Sequence, residues 1–191
     1  MATQDSRIKL KRSTVTATVP TVPSSNDHTD GTWIATDIYK GELFYNQADG
    51  VLWTRGDSGI ECIQGTAKLT IATADVLTLN TTPLTIVAAT GVGTAIEVIS
   101  ANVLMTYNTT AYATNTNIII KNSGATDEQF GAAILNATVN MQKKLQEVTT
   151  STATDTQIIE NTSLQVSVRT GDPTAGDSDI AVYITYRIIT L

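Results

Sequence analysis

Charge is scarce in this chain of 191 residues: Asp, Glu, Lys and Arg make up 16%, against roughly 25% in an average soluble domain. Aromatic residues stop at 5%, and there are four prolines, one histidine and one cysteine. Each shortage excludes something. A lone Cys62 forms no disulfide within the chain and no two-cysteine metal site, which fits synthesis in a reducing compartment. Flanked by Glu61 and Ile63, it reads as a small buried strand residue. His28 sits in a Ser/Asn/Asp loop beside Asp27 and Asp30 and reads as a solvated loop residue, not a base or metal ligand. The low aromatic content argues against an extended sugar groove. No stretch approaches the roughly 18 apolar residues that cross a bilayer, and the N-terminus has no apolar run of signal-peptide length. No membrane partner is expected. The net charge of −6 argues against general nucleic-acid binding, which needs phosphate neutralisation.

Threonine fills the gap, with 35 copies. It is β-branched, stiff at its first side-chain torsion and suited to strands. Its neutral hydroxyl also tolerates a chain–chain interface without the cost of burying charge. The cations are unevenly placed: Arg7, Lys9, Lys11 and Arg12 fall within the first twelve residues against one anion, Asp5. They read equally well as an anchor on an acidic partner surface or as a terminal strand guarded against edge pairing.

Two regions follow from the pattern. Residues 1–65 open with RIKLKRSTVTATV, loosely alternating from Ile8 and Leu10 to Val15–Val19. A Pro/Ser/Asn/Asp loop at 20–32 comes next, and then a tight β pattern. There the step Ala48-Asp49-Gly50 separates GELFYN from VLWTR as a hairpin turn, and Gly56-Asp57-Ser58-Gly59 makes a second turn. Such a meander, carrying Trp33, Trp53, Tyr39 and Tyr45, buries little alone. Copies of itself or the second region would have to cover it. Residues 66–191 offer strands at Lys68–Ile71, Leu84–Ala88, Ala95–Tyr107, Ile118–Lys121, Ser163–Arg169 and Ile180–Ile189. Leu164, Val166 and Val168 share a face, as do Ile180, Val182, Ile184, Tyr186 and Ile188. The fold class is therefore mainly β: a small N-terminal meander followed by a β-sandwich of jelly-roll type. One segment departs from this. Phe130, Ile134, Ala137, Met141 and Leu145 step by three or four, and Thr126 with Gln129 resembles a capping box. The spacing predicts one short helix, about Asp127 to Leu135, and then a strand.

No catalytic constellation is present: there is no nucleophile with a base, no carboxylate pair placed for a cleft and no phosphate-binding glycine loop. Asp172, Asp177 and Asp179 crowd one connection, but without the spacing of a calcium loop; turn chemistry accounts for them. The chain is expected to be no enzyme and to need no cofactor or metal. Tyr107 and Tyr112 flank an Asn/Thr loop and are the candidates for surface recognition.

The first region, in Arg7–Thr14, Val19-Pro20, Gly41-Glu42-Leu43 and Asn46 through Ala48-Asp49-Gly50-Val51-Leu52-Trp53, resembles the N-terminal module of bacteriophage fibre and tropism-determinant proteins. The second resembles distal β-sandwich domains of phage head and tail fibres, in Ala95–Ile99, Thr110–Thr116, Ile159-Glu160-Asn161, Gly171–Thr174, Gly176–Asp179 and Val182–Arg187. The resemblance implies an obligate homotrimer, often a β-prism about a common axis, that joins other virion proteins at a capsid or tail attachment site. It implies a structural virion protein, made in the bacterial host cytoplasm and leaving with the particle. A short capsid fibre or decoration subunit comes first; a tail fibre or a tip that binds a host surface glycan comes second.

Overall fold

The computed structural model describes residues 10–25, 31–57, 59–125, 128–148 and 159–191. Two compact units divide the chain, Met1–Gly65 and Thr66–Leu191. His28, Arg7 and Lys9 lie outside the described residues. No helix among those described is long and apolar enough to cross a membrane.

In the first unit the strands are β1 (Lys11–Ser13), β2 (Leu43–Asn46), β3 (Val51–Arg55) and the start of β4 (Ile60–Ile71), in the order β1-β2-β3-β4. β2 and β3 form the expected antiparallel hairpin, with Phe44 opposite Trp53. Its loop spans four residues, Gln47 to Gly50, and Gly50 has a positive φ of 66°. The Asn46 side chain closes the loop by accepting from the amides of Ala48 and Asp49. β1 joins β2 in parallel, Lys11 opposite Phe44, so the unit is not a simple meander. A parallel partner requires a crossover, which residues 14–42 supply. Val15–Val19 is a turn, not a strand. Ala17 takes φ 60°, Thr18 donates its amide to the Val15 carbonyl, and the buried Asn46 amide donates to the carbonyls of Val15 and Thr18. Among the described residues, Ile38, Phe44, Val51 and Trp53 are buried, with Pro20 and Pro23 beside them.

The second unit is a β-sandwich-like pair of sheets. One has the order β4-β12-β6-β9, from the end of β4, β6 (Thr94–Thr106), β9 (Met141–Lys144) and β12 (Asp179–Thr190). The other has the order β10-β8-β7-β11-β5, from β5 (Leu84–Val87), β7 (Asn117–Asn122), β8 (Glu128–Ala133), β10 (Gln146–Glu147) and β11 (Leu164–Val168). Alternation along β12 buries Ile180, Val182, Ile184 and Tyr186, facing Val98, Ala101, Val103 and Met105 from β6. β7 and β11 are buried on both faces at Ile118–Ile120 and Val166–Val168. On the second face of β11, Ser167 Oγ donates to the Leu79 carbonyl at 3.2 Å, in the turn after α1 (Thr73–Val76).

The helix expected over 127–135 is a strand instead. Residues 128–133 pair antiparallel with β7, Ile119 opposite Gly131 and Ile120 opposite Phe130. A buried apolar strand beside this segment offers both backbone bonds and burial, and that outweighs a weak 3.6-residue pattern containing Gly131. The strand expected after it is present but divided. The chain leaves β9 and enters β10 in the other sheet at Leu145, which is 1% exposed and donates its amide to the Ala101 carbonyl.

Candidate functional site

The cation cluster is only partly available for anchoring. Lys11 Nζ donates to the Asp37 carbonyl at 2.5 Å, lies 3.2 Å from Glu42 Oε2 and stands 5.6 Å from the centre of the Tyr39 ring. Its ammonium is thus spent clasping β1 to the 37–42 segment. Arg12, the next residue, is exposed.

That clasp adjoins an apolar display. The Asp37 carboxylate accepts from the Thr21 hydroxyl at 2.6 Å and the Ile34 amide at 2.9 Å. Those two donors hold its pKa below the ordinary carboxylate value, because each favours the charged form. The turn it fixes pushes Trp33 and Ile34 into solvent, 51% and 57% exposed. Leu10, Val15, Val19, Val22, Leu43 and Ile63 are exposed as well. Among the described residues, this unit shows eight large apolar side chains to water and buries four besides Pro20 and Pro23. The second unit shows six and buries twenty-five apolar residues. Cys62, read from sequence as buried, is only partly so.

Tyr107 and Tyr112 flank one loop, but only Tyr107 reaches its surface. Tyr112 is 2% exposed, and its hydroxyl donates to the Ser178 carbonyl. Burial raises its pKa above the usual phenol value. It is a core residue, a correction to its expected role. Tyr107 is half-buried, and its hydroxyl donates to the Thr109 carbonyl at 2.5 Å. The aspartates nearby each serve a different segment. Asp177 accepts from the Thr109 hydroxyl and from the amides of Thr109 and Thr110 at 3.0 and 2.8 Å. Asp172 accepts from the Asn80 amide and from the amide and hydroxyl of Thr81, and Asp179 from Thr73. Three carboxylates turned to three segments staple loops; they do not converge on one ion. Thr109 leads the donors that lower the Asp177 pKa. At Asp172 partial burial opposes the shift, and the Thr81 and Asn80 donors together outweigh it.

A surface that sequence reasoning passed over lies on the outward face of the β4-β12-β6-β9 sheet. Tyr183 is opposite Asn102, and Asn102 is opposite Lys144. Lys68 Nζ stands 5.3 Å from the centre of the Tyr183 ring. A depression of about 290 Å³ opens beside the ring, lined by Asn102, Val103, Leu104, Gln142 and Tyr183. The signal was present: Val182 and Ile184 point inward, so Tyr183 must point outward. Its neighbours belong to strands far away in sequence.

No family model and no curated protein matches the chain. A solved structure, the Cyanophage Pam1 capsid asymmetric unit, aligns with 65% of this chain and 84% of its own at 15% identity and a TM-score of 0.44. A likeness of that size does not establish a common fold.

Proposed function

We propose that the protein is a structural subunit of a bacteriophage particle. It is a short homotrimeric fibre or decoration protein, held by its first unit and carrying its second outward, on the capsid in preference to the tail. The observation that carries this reading is the imbalance of the first unit, whose described residues bury four large apolar side chains besides Pro20 and Pro23 and leave eight exposed. Covering those side chains between chains is worth roughly 1 kcal/mol each at about half burial. Such a gain favours association and disfavours a free monomer. The residues that resemble phage fibre modules, Gly41-Glu42-Leu43 and Asn46 to Trp53, form the hairpin of this same unit. Threonine in place of charge keeps the cost of burying polar surface low. In this reading the chain does no catalysis and needs no cofactor.

Sedimentation velocity of the full chain from nanomolar to micromolar concentration tests the proposal. The expected result is one species with the mass of three chains across the range. A monomer at micromolar concentration overturns it.

A further inference from the structure

Four side chains stand in a row across the outward face of the β4-β12-β6-β9 sheet: Lys68, Tyr183, Asn102 and Lys144. The pairings Tyr183–Asn102 and Asn102–Lys144 fix three of them on one face, and the Lys68 ammonium over the Tyr183 ring fixes the fourth. We propose that this row, with the depression beside it, binds an acidic saccharide, a sugar unit bearing a carboxylate. The inference deepens the expectation of a host glycan, at a different place from Tyr107 and Tyr112.

Three properties select that ligand. Tyr183 is 39% exposed on a sheet face where its neighbours are mostly polar. The Lys68 ammonium, carried by β4, stands over the ring in a cation–π contact. The side towards β6 and β9 is left to the depression. A part-exposed aromatic ring can stack on the C–H face of a sugar, a contact that hides apolar surface without demanding a deep pocket. Next, the polar lining is neutral: the amides of Asn102 and Gln142 can each donate and accept, as paired sugar hydroxyls require, and among the described residues no carboxylate lines the space. Finally, Lys144 stands exposed across the row from Tyr183, whereas its neighbour Lys143 is turned away to the Ala133 carbonyl at 2.6 Å. The net charge of −6 disfavours an anion on the chain as a whole. A lysine at either end of this row makes it a local exception. A volume of about 290 Å³ is at the small end for ligand sites and suits one or two sugar units.

The site is independent of the trimer: a monomer that bound sugar would defeat the proposed assembly and leave this inference standing. The test is titration of the full chain, followed by ligand-observed NMR, with sialyllactose, a glucuronate-containing disaccharide and neutral lactose. Saturable binding of at least one acidic sugar is expected, with lactose about tenfold weaker or more. Tyr183→Ala should weaken acidic-sugar binding about tenfold, and Tyr183→Phe should restore it. Lys144→Gln should erase the preference for the acidic sugar while leaving the weak lactose signal. Val92→Ser, at another exposed apolar position, should change nothing. The proposal is overturned if neither acidic sugar saturates, if Tyr183→Ala binds as well as the parent, or if a short poly-aspartate peptide competes as tightly as the sugar.

Discussion

Gly176 lies against the ring of Tyr112 so closely that a Cβ on it would stand 2.2 Å from ring Cδ1. Gly176 also has φ +100°, a conformation that side chains resist. The ring cannot retreat, because it is buried and its hydroxyl is bonded to the Ser178 carbonyl. Gly176→Ala should therefore lower stability by ~3 kcal/mol through overpacking and backbone strain, or about 9 °C in Tm for a chain of this size. Tyr112→Phe leaves the Ser178 carbonyl without its partner and should cost about 1–2 kcal/mol. Because the Gly176 clash and Tyr112 share one contact, Gly176→Ala with Tyr112→Leu should lose less than the two single changes summed. Urea unfolding of the parent, Gly176→Ala, Tyr112→Leu and the double variant measures this.

Acid should loosen the second unit at its staples. Asp177 and Asp172 have folded pKa values below the ordinary carboxylate value. A depressed folded pKa gives stability that is complete above the unfolded value, near 4, and is lost as pH falls through the folded value. The urea midpoint should be level from about pH 7 to 5 and decline below about pH 4. Asp177→Asn should lower the midpoint at pH 7, and the gap between variant and parent should narrow at pH 3. A gap that is equal at both values refutes the staple.

The N-terminal display offers a test by charge. Trp33 and Ile34 protrude from the turn that Asp37 holds through Thr21 and Ile34. Ile34→Asp should weaken association at least about tenfold, since it places an unpaired charge where apolar surface meets apolar surface. Circular dichroism should remain that of the parent. Asp37→Asn loosens the turn and should weaken association less. Sedimentation equilibrium separates the two effects.

The strands of the second unit were legible because their alternation is strong. Ile180 to Tyr186 mark one inward face, as do Leu164, Val166 and Val168, although in β11 Ser167 on the other face is buried as well. Residues 128–133 were misread because Phe130, Ile134 and Ala137 also satisfy a helical period. What decides the matter is Ile118–Ile120, remote in sequence, which offers the segment a ladder. The same remoteness hid the Tyr183 row: its four members come from four strands, and only register brings them together. Tyr112 was misplaced for a related reason. Its Asn/Thr surroundings look solvated, yet Ser178, 66 residues away, and Gly176 beside it arrive to enclose it.

Glu128 and Arg169 offer the sharpest check on the revised strand. They form an ion pair in which the Glu128 side chain is 15% exposed and the Arg169 side chain 40%, and this pair exists only if 128–133 runs along β7 beside β11. A helix there would break the pairing between Ile119 and Gly131 that brings the two side chains together. Removing one partner strands the more deeply buried charge, so Arg169→Met should cost about 2 kcal/mol, somewhat below the figure for fully buried pairs because Arg169 keeps contact with water. Glu128→Gln leaves an arginine that solvent can still reach and should cost about 1 kcal/mol. The double variant should recover much of the larger loss, giving a coupling of about 1 kcal/mol in a double-mutant cycle. Additive losses would place the two side chains apart and return the segment to the helix.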